Sequence, residues 1–117
     1  MSRPSTRLTP NQIVAANLTR ARLDRGWSQP QAAEELEPFL GVRWSRASYS
    51  AVERSVDGNR IKQFSADELV ALARCFNQPI SWFLTPPPDT VTTTPDHPRG
   101  LDVTVLQRTL RATRSRP

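Results

Sequence analysis

The chain is poor in cysteine and histidine, and it has no long apolar run. Cys75 is the only cysteine, so an intrachain disulfide or a cluster of thiolate metal ligands is impossible. His97 is the only histidine, and the sequence lacks paired catalytic carboxylates, a glycine-rich phosphate loop and metal-ligand spacing. A membrane span needs about 20 apolar residues, and the N-terminus lacks a signal-peptide core. We therefore expect no catalysis, no metal or other cofactor, no membrane partner and a cytoplasmic location.

Acidic residues are fewer than basic ones, and lysine is almost absent. The net charge is +5 at pH 7, and Lys62 is the only lysine among sixteen basic residues, which we attribute mainly to codon bias. Residues 11–85 carry a net charge of only +1, and the rest of the excess lies toward the two ends of the chain. A basic chain favours a polyanionic partner, but this distribution gives that interpretation little support.

The chain divides into three segments by composition. At 117 residues it is long enough for one domain with one modest core. Residues 1–8 are polar and basic without periodicity, which predicts a flexible arm. Residues 9–85 carry repeated helix signals. Residues 86–117 are rich in proline and threonine, which predicts a mostly disordered basic tail, although residues 101–112 could form a weak amphipathic helix.

Five short helices are indicated in residues 9–85 by their start signals. Thr9, Ser28 and Ser65 each stand as N-cap before a helical apolar period. Pro79 begins a short fifth helix. The first helix is predicted over residues 10–25 and the third over residues 45–54.

Proline is predicted to end the second helix early. Pro38 removes a backbone donor and disfavours a continuing helix, so residues 37–44 are expected to form a turn with apolar content. The third helix that follows is polar outside, where Arg46 is flanked by serines. A helix in a DNA major groove needs such a face, because it approaches base edges closely while a long donor reaches guanine. On composition alone, an ordinary solvated face is the better interpretation.

Several short motifs occur in a fixed order over about two thirds of the chain. They are Arg22, the run Arg25-Gly26-Trp27-Ser28-Gln29, Ala33, Gly41-Val42, residues 45–54, residues 69–76 and residues 80–84. This ordered set resembles the phage-repressor-like (XRE/Cro) helix-turn-helix family. The resemblance implies an all-α, five-helix lambda-repressor-like domain. It also implies a sequence-specific transcriptional regulator that binds double-stranded DNA, cytoplasmic and associated with the nucleoid.

The resemblance also implies which side chains contact DNA. Base edges would be contacted by Ser45, Arg46, Ser48 and Ser50. The DNA backbone would be contacted by Ser28, Gln29, Arg43, Arg54, Arg60 and Lys62. A helix N-terminus with its free N–H groups favours a phosphate, which agrees with the position of Gln29. Each of these residues has a plainer interpretation as a solvated polar residue.

Arg22 and Glu53 match family positions that form a semi-buried ion pair between the first and third helices. This pair would be structural. The chain departs from the family pattern between Ala33 and Gly41, which are eight residues apart where the family usually has four. Ser55 also stands where a glycine is usual. These departures affect the predicted angle between the helices and the choice of contact residues.

A protein-interaction module or an antitoxin-type partner protein built on the same helices is the main alternative. Phe39, Leu40 and Trp44 in the inserted segment would form a surface patch if they are exposed, and would be structural if they are buried. A homodimer is also possible, because one short helix reads few base pairs. The tail helix could serve a dimer, whereas its basic run (Arg108, Arg111, Arg114 and Arg116) could bind DNA without sequence preference or be part of a disordered end.

Overall fold

The computed structural model describes residues 7–87 and 96–111, and these ranges are mostly helical. Their elements are β1 (Arg7–Leu8), α1 (Pro10–Arg25), α2 (Gln29–Leu40), α3 (Arg46–Arg54), a 3-10 turn (Ser55–Asp57), α4 (Ala66–Phe76), α5 (Ile80–Leu84), β2 (Leu101–Asp102) and α6 (Val103–Arg111). The all-α prediction is confirmed. A search of the helices in these ranges finds none with the length and apolar character of a membrane span.

The three predicted N-caps form, and Ser45, which was predicted as the first residue of the third helix, is the N-cap of α3. The hydroxyl of Thr9 accepts a hydrogen bond from the backbone N–H of Gln12, and those of Ser28, Ser45 and Ser65 accept from the third residue beyond them in the same way. At Thr9 and Ser65 the side chain of Gln12 or Glu68 also accepts a hydrogen bond from the backbone N–H of the cap residue, which completes a capping box. Each of these four helices therefore begins where a hydroxyl side chain satisfies one of the N–H groups of its first turn.

The prediction that Pro38 ends the second helix is wrong. α2 continues through Pro38 to Leu40, and Gly41 caps it with φ 83° while its N–H donates to the carbonyl of Glu37 at 2.8 Å. In the last turn, proline costs one hydrogen bond, to the carbonyl of Glu34, and Glu34 is exposed, so that water reaches it. Leu40 packs against the core one turn beyond Leu36, which favours the extra turn.

One hydrophobic core joins α1 to α5. Its fully buried members include Leu18, Leu36, Tyr49, Leu72 and Phe83, one from each helix. Each packs from a helical stripe that faces the centre, as the apolar spacing predicts. The core therefore fixes α3 against the other helices along one face only.

A buried asparagine ties α5 to α1. The side-chain amide of Asn17 donates to the backbone carbonyls of Trp82, Phe83 and Thr85 at distances between 2.9 and 3.1 Å. These carbonyls lie at the C-terminal end of α5, where a helix leaves acceptors unpaired. Asn17 thus satisfies the end of a helix too short to be stable alone.

The arm and the tail differ from their predictions where the structure describes them. β1 pairs antiparallel with β2, with Leu8 opposite Leu101. Leu8, Ile13 and Leu106 form a second, smaller buried cluster. Residues 96–111 are therefore folded against the N-terminus, and the prediction of a disordered tail is not confirmed there. Residues 1–6, 88–95 and 112–117 lie outside the described residues.

Candidate nucleic-acid interface

α3 presents a polar face to solvent and an apolar face to the core. Tyr49, Val52 and Glu53 are buried, whereas Arg46 and Arg54 are exposed. The predicted base-contact residues Ser45, Arg46 and Ser48 are all exposed at the start of the helix, and Ser50 is half-buried. The outward residues between them are two alanines, Ala47 and Ala51. The exposed surface of α3 is therefore a shallow, polar ridge.

The serines of α3 keep free donors. Ser45 Oγ accepts from the backbone N–H of Ser48 at 3.0 Å and donates to Ser48 Oγ at 3.0 Å. Ser48 Oγ accepts that bond, so that its own proton remains available to an outside acceptor. Ser50 Oγ accepts from Arg54 Nη1, which leaves the proton of Ser50 free in the same way.

Arg22 and Glu53 form the predicted ion pair, with two parallel contacts. Arg22 Nε lies 2.7 Å from Glu53 Oε2, and Nη2 lies 3.0 Å from Oε1. Arg22 Nη1 also donates to the carbonyl of Trp27 at 2.9 Å. Burial by itself would raise the pKa of Glu53, but hydrogen bonds from Arg22 and Gln29 outweigh burial and lower it. The pair connects α1 to α3 and to the entry of α2.

Gln29 belongs to this network in the structure. Its Nε2 donates to Glu53 Oε1 at 3.0 Å, and the side chain is half-buried. Gln29 therefore links the N-terminus of α2 to α3, and one of its amide donors is occupied. The sequence predicts a backbone-contact role for Gln29 and carries no signal for its contact with Glu53. Burial raises the pKa of the neighbouring Tyr49, and the charge of Glu53 raises it further, so Tyr49 stays neutral.

The predicted backbone-contact cations fall into two groups. Arg43 Nε pairs with Glu37 Oε1 at 2.7 Å, and both side chains are largely exposed. Lys62 Nζ pairs with Glu68 Oε2 at 2.9 Å and lies 5.5 Å from the ring centre of Trp44. Arg54 and Arg60 form no ion pair with any residue in the described ranges, and neither does Arg46, which was predicted to contact bases. Two cations are thus held by carboxylates and two are available.

Two grooves border α3. The first, which we call the inter-helix groove, is lined by Pro30, Ala33, Arg43, Trp44, Ser45 and Arg46. The second, which we call the α3 groove, is lined by Ala51, Arg54, Ser55, Asp57, Asn59 and Arg60. The predicted cations Arg43, Arg46, Arg54 and Arg60 all line one of these grooves. The structure therefore brings these four predicted site residues to the surface that flanks α3.

The inserted segment is mainly structural. Trp44 and Leu40 are half-buried and pack against the core, and the ring of Trp44 lies 6.2 Å from that of Tyr49. Phe39 is 36% exposed, and the guanidinium of Arg74 lies 5.1 Å from its ring centre. The possible surface patch of Phe39, Leu40 and Trp44 is thus reduced to the partly covered ring of Phe39.

Metal and thiol chemistry find no support in the part of the chain that the structure describes. There, no three side chains of the His, Cys, Asp or Glu type are grouped as a metal site. Cys75 is half-buried, and burial raises its pKa to about 11, so that it stays a neutral thiol. A comparison with protein-family models, curated proteins and solved structures finds no match for this chain.

Proposed function

We propose that this protein binds double-stranded DNA sequence-specifically, regulates transcription, and uses α2 and α3 as a helix-turn-helix. The observation that carries the proposal is the polar outer face of α3, which is held at a fixed angle by the buried contact of Glu53 with Arg22 and Gln29. A reading helix needs both properties, because base edges are recognised by donors and acceptors placed with fixed geometry.

The order of motifs that resembles the XRE/Cro family supports the same proposal. The four extra residues between Ala33 and Gly41 are accommodated as helix, and four residues make about one α-helical turn. The added turn lengthens α2 but returns the chain to nearly the same side of the helix. The connection to α3 therefore keeps nearly the same direction, so the longer spacing between Ala33 and Gly41 is compatible with the resemblance.

Within this proposal, the DNA contact of each side chain follows from its exposure and from whether it already forms an ion pair. Arg46 reads a base, because it is exposed and forms no ion pair within the described ranges, and Ser45 and Ser48 lie beside it. Arg43, Arg54 and Arg60 approach phosphates from the grooves on either side of α3. The backbone N–H of Gln29 supplies a further phosphate contact at the start of α2, where Pro30 has no N–H and Ser28 accepts the N–H groups of Gln31 and Ala32. Lys62 has a smaller part, because its ion pair with Glu68 is half-buried, whereas the pair of Arg43 with Glu37 is more exposed.

The experiment that tests the proposal is selection of bound sequences from a pool of random duplex DNA. We expect enrichment of one short motif, and a two-fold symmetric arrangement of that motif if the protein binds as a homodimer. A pool that shows no enriched motif after several rounds contradicts sequence-specific binding. Binding to a protein partner without any DNA enrichment would instead favour the interaction-module alternative, for which the partly exposed Phe39 is the remaining support.

Replacing Glu37 with glutamine is expected to raise DNA affinity by a factor of about 1.4 to 5, since an exposed ion pair that competes for the cation contributes about 0.2–1 kcal/mol. Glu37 occupies Arg43 beside α3, and its removal leaves Arg43 for a phosphate. Fluorescence anisotropy with a labelled selected duplex measures the change. Glu34→Gln is the matched control, because it removes the same charge from α2 at another exposed position. Equal effects of the two variants would show that only long-range charge matters.

A further inference from the structure

A further polar cleft lies between the loop after α3, the start of α1 and residues 97–99. Its lining includes Asn11, Asn59, Gln63, His97 and Arg99, and we call it the loop cleft. No carboxylate is among the described residues that line it. Asn59 also lines the α3 groove, so the two surfaces adjoin at that residue.

Two side-chain amides place a hydrogen-bond donor at the loop cleft. The backbone N–H of Phe64 donates to Asn11 Oδ1 at 3.1 Å. Because a backbone N–H can only donate, this contact orients the Asn11 amide, and its Nδ2 donates to Gln63 Oε1 at 3.1 Å. The remaining end of Gln63 is therefore its Nε2 group, which carries two N–H donors and accepts nothing.

The C-terminal segment brings a cation to the same cleft. The backbone N–H of His97 donates to the carbonyl of Arg7 at 2.8 Å, and the N–H of Arg99 donates to His97 Nδ1 at 3.0 Å. Gly100 anchors the segment, because a Cβ there would lie 2.4 Å from the Leu8 nitrogen. Arg99 forms no ion pair with any residue of the described ranges. The carboxylate of Asp96 instead accepts from the backbone N–H of Arg7 at 2.9 Å.

We propose that the loop cleft binds a DNA backbone phosphate, with Arg99 and Gln63 as donors. This inference rests on the proposed function, and it adds the C-terminal segment to the DNA-binding surface. A phosphodiester carries one negative charge and only accepts hydrogen bonds, which fits a cleft with one guanidinium, free amide donors and no carboxylate. Because Asn59 lines both surfaces, this phosphate contact lies next to the contacts expected at Arg54 and Arg60 in the α3 groove.

Two variants, each with a matched control outside the cleft, test the inference. Arg99→Ala removes the cation, and Arg20→Ala removes the same charge from an exposed position of α1 outside the cleft. Gln63→Glu puts a carboxylate at the donor end, and Gln107→Glu adds the same charge on α6. The full chain is titrated by fluorescence anisotropy into a labelled selected duplex and a scrambled duplex, at salt concentrations from 50 to 200 mM. Circular dichroism checks that each variant is folded.

Arg99→Ala is expected to weaken binding to both duplexes alike and to flatten the salt dependence. The slope of log K against log salt falls by about 0.9 for one lost phosphate contact, so the affinity ratio of wild type to variant shrinks about 3.5-fold from 50 to 200 mM salt. Gln63→Glu is expected to weaken binding to both duplexes, and both controls are expected to have smaller effects. Equal effects of Arg99→Ala and Arg20→Ala overturn the loop cleft but leave the proposed function standing. Failure of the wild type to bind either duplex overturns both.

Discussion

Replacing Glu53 with glutamine is expected to destabilise the fold by about 3 kcal/mol at neutral pH, because loss of one partner leaves the other charge buried and uncompensated. The side chains of Arg22 and Glu53 are only 13% and 5% exposed. Glutamine keeps the shape of Glu53, but it has one acceptor oxygen and no charge with which to meet Arg22 and Gln29. For a domain of this size, the melting midpoint falls by about 12–24 °C, as measured by circular dichroism.

The loss of stability in Glu53→Gln depends on pH in a defined direction. Burial opposes ionisation of Glu53, but the hydrogen bonds from Arg22 and Gln29 prevail and hold its pKa below the ordinary value of 4.5. A lowered folded-state pKa means that the unfolded chain binds the proton more readily. The stabilisation is therefore complete above the unfolded pKa and is lost as the pH falls through the folded one. The difference between wild type and Glu53→Gln should be full at pH 7 and should shrink below pH 4.5.

Glu37→Gln is the control for stability, because it breaks an ion pair that is largely exposed. Such pairs contribute about 0.2–1 kcal/mol, so its unfolding should stay close to that of the wild type. If Glu53→Gln does not fold, the double variant Arg22→Met with Glu53→Gln removes both charges and should recover part of the stability. Equal unfolding midpoints for Glu53→Gln and Glu37→Gln at pH 7 would contradict a structural role for the buried pair.

Helix starts were predictable because their cause is local. At Thr9, Ser28, Ser45 and Ser65, one hydroxyl meets an N–H three residues away, and that chemistry is legible in a short stretch of sequence. The end of α2 was not predictable in this way. The penalty of Pro38 is also local, but burial of Leu40 against the core opposes it, and burial depends on the whole fold.

Contacts between the two ends of the chain could not be predicted from local patterns. Leu8 pairs with Leu101 across more than ninety residues of sequence, and neither residue alone carries a strand signal. The same limit applies to the loop cleft, since Arg99 reaches the loop after α3 only through that pairing. At the candidate interface, Arg46 and Arg60 are exposed, as contact with DNA would require. The pairing of Arg43 and Lys62 with acidic residues had no signal in their spacing.

Replacing Arg46 with alanine is expected to reduce the preference for one base position by about 1–3 kcal/mol, or roughly five- to 150-fold. Arg46 is exposed at the first position of α3, in the inter-helix groove. A guanidinium at the end of a reading helix forms two hydrogen bonds with guanine, and alanine forms none. Competition binding with the selected duplex and a set of single-base variants measures the preference, position by position.

Arg60→Ala is the matched control, because it removes the same charge from another exposed residue beside α3. It should weaken all duplexes evenly and flatten the salt dependence, since a phosphate contact carries no sequence information. Arg46→Lys separates charge from geometry: lysine keeps the charge but lacks the planar fork that forms two parallel bonds. If Arg46→Ala leaves the order of preferred sequences unchanged, the outer face of α3 does not read bases. If Arg46→Lys keeps the full preference, the two-bond contact of a planar guanidinium with guanine is contradicted, and a single cationic donor at this position is enough to read the base.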